Sequence, residues 1–349
     1  MNSNEIKLLS TNAVVLKGEG EDLEILLIKR QYPPFAGEWG LPGGFVKNEE
    51  SSLDCCIRKV KKETNLDLDP AKKIDLDTRS ASGRDPRGLV LSQCYMFYLN
   101  GKKTNKEVYP GEGISNCQWL NLKNVPSLAF DHGALLCQAL GMFWSFMPSA
   151  FIEFSKIPLP RFVSPKEITF EDSITFFGGT FNPWHEGHST CLDLCPSKNI
   201  VVVLDTNPWK QNDDFNKNCF WKAFKEIALE FEKSNYAFYP GFFGKENSNP
   251  TVGWLPITRA KNKEILMGED NFAKFLSWKD YKILIRSLKR LYIVPRKHNN
   301  ALDGELESKI KSFNKYIVIE HLPSHPFEEF SSTEMREKLE SNTHRDNSC

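Results

Sequence analysis

Gly178-Gly179-Thr180-Phe181-Asn182-Pro183-Trp184-His185-Glu186-Gly187-His188 is the stretch on which the reading of this chain turns. It follows an apolar run, Ile174-Thr175-Phe176-Phe177, that reads as a strand, and it ends where a helix over 188–195 can begin. Two glycines permit a tight turn and a close approach of backbone to ligand. Two histidines before a helix N-terminus add N–H donors for an anion, which is the anatomy of a phosphate site.

Working outward, residues 200–204 (Ile-Val-Val-Val-Leu) form the near-continuous β-branched run typical of buried parallel strands. Strand, phosphate loop, helix and strand make a βαβ unit, which predicts a Rossmann-like parallel sheet with its site at the strand C-termini. A helix is expected over 221–231, and a helix end and strand over 283–294.

Composition bounds the rest. A chain of 349 residues suits two domains, and 40% apolar with 26% charged residues is ordinary for a globular protein. The formal net charge of +0 gives no reason to expect a nucleic-acid partner or an anionic membrane. The nine cysteines are odd in number and form no C-x-x-C pair, as expected of reduced thiols. The N-terminus is polar and no apolar run is long enough to span a bilayer, so a cytoplasmic protein without a membrane partner is expected.

Prolines 148, 158, 160 and 165 forbid a long helix and place a linker over 148–170, between an N-terminal domain (1–147) and a C-terminal one (171–349) with a polar tail. In the first half, strands are expected over 12–16 and 23–28, an irregular loop over 31–46, and a helix over 48–65. Ser51 or Ser52 would cap that helix, and Leu53, Cys56, Ile57 and Val60 give it an apolar stripe. Asp131 is expected to cap a helix over 133–142, with His132 a packing or capping residue.

The G-G-T-F-x-P-x-H-x-G-H string resembles the nucleotide-binding loop of the HxGH nucleotidylyltransferases, most closely that of nicotinate/nicotinamide mononucleotide adenylyltransferases. The resemblance implies transfer of an adenylyl group from ATP to a pyridine mononucleotide, giving dinucleotide and pyrophosphate, a step of NAD biosynthesis. His185 and His188 would be catalytic, contacting the triphosphate, with Gly178, Gly179, Thr180 and Phe181 forming the phosphate-binding loop. Residues 267–279 resemble the family's G-x-D-N…W-K segment. By that likeness Asp270 would contact nucleoside hydroxyls and Trp278 would stack on the pyridine ring. Pro208-Trp209-Lys210 is similar to a family turn whose lysine, here Lys210, would hold the mononucleotide phosphate. Phe330-Ser331-Ser332-Thr333-Glu334-Met335-Arg336 resembles the I-S-S-T-x-x-R signature, with Phe330 replacing isoleucine. Ser331, Ser332, Thr333 and Arg336 would hold the β/γ-phosphates, with Mg²⁺ carried in by ATP. Residues 249–259 lack the Ser-Tyr-Thr string of nicotinate-preferring members, which leaves acid against amide open.

Residues 44–66 resemble the Nudix box, G-x5-E-x7-R-E-U-x-E-E-x-G-U. Gly44, Glu50, Arg58, Val60, Glu63 and Leu66 lie on the pattern, while Lys59, Lys62 and Asn65 depart from it. Two glutamates that would coordinate a divalent cation are ammonium groups here. Lys59 and Glu63 are expected to form a surface ion pair on a solvated helix face. The likeness extends to an ADP-ribose-type tail at 117–132 and implies an α/β/α sandwich. The N-terminal half is therefore expected to be a structural partner or an ADP-ribose- or NAD-sensing module. The alternatives are a chain that acts mainly as an NAD-metabolite-binding regulator, or a bifunctional enzyme with residual Nudix pyrophosphatase activity.

Overall fold

Two sheets organise the computed structural model, which describes residues 8–99, 107–144, 156–165, 173–181, 183–206, 220–296 and 303–329. The first sheet comprises β1 (Leu8–Lys17), β2 (Glu24–Arg30), β3 (Trp39–Gly40), β4 (Gly43–Phe45), β5 (Ile74–Asp75), β6 (Val90–Leu99) and β7 (Ile114–Asn121). Its order is β3-β2-β1-β6-β5, with β4 paired to β1 and β7 to β2. Only β1 and β6 run parallel. Alternation along β1 sorts its side chains between two layers. Ala13 and Val15 face Cys56 and Val60 of α1 (Ser52–Thr64), whereas Val14 and Leu16 face Leu136 and Leu140 of α2 (His132–Gly141). The layering is the expected α/β/α sandwich.

The second sheet is wholly parallel, built from β8 (Ser173–Gly179), β9 (Ile200–Asp205), β10 (Tyr236–Phe242), β11 (Asn262–Gly268), β12 (Leu288–Val294) and β13 (Val318–His321). Its order, β10-β9-β8-β11-β12-β13, reverses direction between β8 and β11. That is the topology of the Rossmann sheet, whose ligand crevice lies at the switch point. The associated helices are α3 (Glu186–Leu194), α4 (Phe220–Glu230), α5 (Glu269–Ala273), α6 (Tyr281–Ser287) and α7 (Asp303–Phe313).

The two halves share packing. Nine of the ten residues of α2 are buried, because one side meets the first sheet and the other meets β10 and α4. Small residues set the approach. A Cβ on Gly141 would stand 2.6 Å from the Cα of Gly241, and one on Gly133 would stand 2.7 Å from the backbone N of Trp221. Trp144 meets Tyr239 edge-on at 5.6 Å. The expected linker is described over 156–165, where it bonds to both halves. Gly20 N–H donates to Pro158 O at 2.7 Å, and Phe238 N–H to Val163 O at 2.8 Å.

One expected cap is absent. Asp131 makes no cap hydrogen bond to α2; Arg79 and Arg84 claim its carboxylate instead. Ser51 does cap α1, accepting from Asp54 N–H at 3.1 Å.

Candidate functional site

The loop after β8 is held by its own rings. Phe181 adopts a left-handed conformation (φ 46°) that costs a non-glycine residue strain. Its ring recovers contact with Phe177 (5.0 Å), Trp184 (4.9 Å) and His188 (4.9 Å). A Cβ on Gly179 would lie 2.9 Å from that ring, so a side chain there would displace it.

His185 is the N-cap of α3, and its imidazole stacks on that of His188 at 3.7 Å. The backbone N–H of His185 donates to His188 Nδ1 at 3.4 Å, and the His188 backbone N–H donates to the His185 carbonyl at 2.8 Å, which closes the first turn of the helix. A Cβ on Gly187 would lie 3.0 Å from the His185 ring. The H-x-G-H spacing is therefore what lets the rings stack over the helix start. Burial, then Arg296, lowers the pKa of His185. Burial, then His185 and Arg296, brings His188 down to about 3. Both rings are neutral at pH 7 and offer hydrogen bonds rather than charge.

A cavity of about 500 Å³ opens at the C-terminal ends of β8, β9 and β11. Gly178, Gly179 and Thr180 form one wall, and Trp278 with Asn271 forms another. Trp278 is half-buried and meets Phe275 edge-on at 5.1 Å, leaving ring surface on the cavity. Asp270 sits beside this cavity rather than on its wall, with its carboxylate 4.0 Å from Arg296 Nε. His185 and His188 flank the glycine loop without lining the cavity. Lys210, Ser331, Ser332, Thr333 and Arg336 lie outside the described residues. The chain leading to the last four is described to Glu329. It passes α3, where Phe327 O is 3.4 Å from a Cβ built on Gly187, and Arg296 donates to Glu328 O at 3.3 Å.

Two residues here had no role in the sequence reading. Asp205, at the end of β9, lines the cavity and accepts from Asn249 Nδ2 at 3.1 Å; burial lifts its pKa to about 6. Arg296 gathers Glu269, Asp270 and Glu328 around the histidines.

A second cavity, of about 400 Å³, lies in the first domain between β1, β2, β4 and α1. Arg30, Lys59, Arg84 and Arg87 line it together with Glu63, Asp85 and Glu112. Of the Nudix-like residues, Gly44 and Glu63 line this cavity, whereas Glu50 and Arg58 do not. Glu50 accepts twice from Arg58, at 2.5 and 2.7 Å, and once from Lys47 N–H at 3.1 Å, and the arginine pairing above all lowers its pKa to about 2. Lys59 lies across Gly44, where a Cβ would be 2.5 Å from Lys59 Cε.

The expectation of a surface ion pair fails. Lys59 Nζ is 4.0 Å from Glu63, but Glu63 is buried and accepts from Gly43 N–H at 3.0 Å. Burial lifts its pKa to about 7. The pair points inward because the α1 face carrying 59 and 63 lies on the Gly43-Gly44 turn. Asn65 replaces the motif glycine at no geometric cost, since it takes the left-handed helix end (φ 59°) that asparagine tolerates.

This donor set does not fit a divalent cation. An ammonium stands beside Glu63, Glu50 is held by Arg58, and no cluster of three or more His, Cys, Asp or Glu is found among the described residues. His132, as expected, is a packing residue. It accepts from Leu41 N–H at 2.9 Å, and burial brings its pKa down to about 3.

Comparison with known proteins finds likenesses in both halves. Residues 7–138 match the NUDIX domain model. An ADP-ribose pyrophosphatase of Methanocaldococcus jannaschii is 38% identical over 33% of this chain and 65% of its own, so the chain spans less than two thirds of that relative. A probable nicotinate-nucleotide adenylyltransferase of Fervidobacterium nodosum is 29% identical over 48% of this chain and 80% of its own. Among solved structures, a bifunctional NMN adenylyltransferase/ADP ribose pyrophosphatase from Francisella tularensis is 24% identical. It was solved with AMP and a Mn ion, and it covers 38% of this chain and 41% of its own with a TM-score of 0.35. The chain thus carries a Nudix domain in its first half and, in its second, a region matching the nicotinate-nucleotide adenylyltransferases.

Proposed function

We propose that the C-terminal half joins ATP to nicotinate or nicotinamide mononucleotide, releasing pyrophosphate. The observation that carries this reading is the cavity at the switch point, walled by the glycine loop and the Trp278 ring, with the stacked histidines flanking that loop outside the cavity wall. Trp278 stacks on the pyridine ring, and Asp270 with Asn271 meets ribose hydroxyls. Lys210 neutralises the mononucleotide phosphate, which attacks the α-phosphorus of ATP in line. Gly178–Phe181 admit the triphosphate close to backbone N–H groups. Neutral His185 and His188 donate to oxygens that gain charge in the transition state. Ser331, Ser332, Thr333 and Arg336 hold the β/γ-phosphates, which enter with their Mg²⁺. The arrival of the chain at Gly187 and Arg296 just before residue 330 supports that role. Incubation with ATP and each mononucleotide, followed by separation of dinucleotide and pyrophosphate, tests the reading; absence of dinucleotide with both overturns it.

A specific observation favours a second role for the first half. Its cavity keeps the arginines but sets Lys59 where a metal-binding glutamate would stand. Such a wall suits an anionic diphosphate held without cleavage, and the likeness to an ADP-ribose pyrophosphatase supports ADP-ribose as the ligand class. Calorimetry with ADP-ribose and a phosphate-release assay in Mg²⁺ or Mn²⁺ distinguish binding from residual hydrolysis.

A further inference from the structure

A run of charged contacts leads from the N-terminal cavity to Glu246, two residues before the segment that lines the C-terminal one. Arg84 lines the N-terminal cavity and donates to Asp131 at 3.0 Å. The other oxygen of Asp131 takes Arg79 Nε at 2.8 Å, and the same Nε lies 3.4 Å from Glu246 of the second half. Glu246 also accepts from the backbone N–H groups of Ser80 (2.8 Å) and Ala81 (3.0 Å). Two residues beyond it begins the segment Ser248–Thr251, which lines the C-terminal cavity, and within it Asn249 holds Asp205.

The side chains of Arg84, Asp131, Arg79 and Glu246 are 3%, 1%, 7% and 13% exposed, so water screens these contacts little. We propose that Glu246 is a positioning residue, anchored on the first domain, that sets the geometry of the mononucleotide cavity and reports to it on the state of the N-terminal one. The proposal rests on the adenylyltransferase reading above.

The coupling follows from competition for donors. An anionic diphosphate at Arg84 draws its guanidinium away from Asp131. Asp131 then holds Arg79 more tightly, and the weakest contact of the run, Arg79 to Glu246, yields. The segment carrying Asn249 loosens and the mononucleotide binds less well. A ligand shifts such an equilibrium only through a differential contact, and Arg84 supplies one.

The test uses the full chain, wild type and Glu246→Gln, with ATP saturating and the mononucleotide varied, with and without ADP-ribose. The expected result is a mononucleotide KM raised about fivefold in Glu246→Gln at unchanged kcat, and a similar rise in wild type on adding ADP-ribose that is absent from the variant. Glu232→Gln removes a different inter-domain contact, with Lys123, away from the cavity, and should keep the wild-type KM. A wild-type KM in Glu246→Gln overturns the proposal. So does an ADP-ribose effect equal in both proteins, including none in either, or an equal KM rise in Glu232→Gln. Failure of wild type to make any dinucleotide overturns the adenylyltransferase reading itself, and is distinguishable from these.

Discussion

The N-terminal cavity is lined by seven titratable side chains of opposite sign, four basic and three acidic, whereas the C-terminal one has Asp205 and Lys279 among glycines, hydroxyls, amides and apolar or aromatic side chains. The first is set by charge, so an ammonium group in place of a carboxylate, as at Lys59, would change its chemistry without changing its fold. The second selects by shape and close backbone approach, and its chemistry depends on a loop that tolerates few changes at all. On the proposed reading, a site of fixed charge would lose one activity and keep a ligand. A site of backbone geometry keeps or loses both together.

The sharpest way to break this contrast is His188→Ala. Removing a donor to a charging oxygen should lower kcat for dinucleotide formation by about 10²–10³ and leave ADP-ribose affinity untouched; turnover within threefold of wild type would sink the assignment. Lys59→Ala probes the other wall. Loss of one charge-assisted bond should weaken ADP-ribose binding by about tenfold or more in calorimetry, with the basal rate of dinucleotide formation unchanged. Trp278→Ala should raise the mononucleotide KM about tenfold, read from initial rates, because the stacking surface disappears while the phosphate loop stays.

The smallest effect concerns pH. Burial raises the Glu63 pKa to about 7, above its unfolded value. The folded chain therefore binds the extra proton, and this contribution to stability, full below the unfolded pKa, is lost as pH rises through 7. Glu63→Gln should remove it, raising Tm relative to wild type by a few degrees at pH 8 and by less at pH 5. An equal difference at both values would contradict the buried placement.

Much of this could be read in the chain. The glycine–histidine loop announced the βαβ unit because close approach and ring stacking admit few residue types, and the stripe Leu53, Cys56, Ile57 and Val60 marked α1. The strands β10, β11 and β13 were not legible. Pro240-Gly241 interrupts β10, which tolerates them at a sheet edge. Lys263-Glu264 breaks the apolar pattern of β11, although Glu264 is buried and accepts from Thr175 Oγ1 at 2.8 Å. The inward turn of Lys59 and Glu63 was hidden for a related reason. Spacing shows that two residues share a helix face, but not which way that face looks. Arg79, Asp131 and Glu246 are 52 and 115 residues apart in sequence, and no local pattern joins them.

The helix α2, apolar on every side, closes the first sandwich and roofs the second sheet at once. A proteolytic border drawn through 148–170 would therefore not be a thermodynamic one. Severing the chain there would leave each fragment with a wet hydrophobic wound the length of that helix. The intact protein should melt in a single calorimetric transition, with its halves inheriting each other's stability.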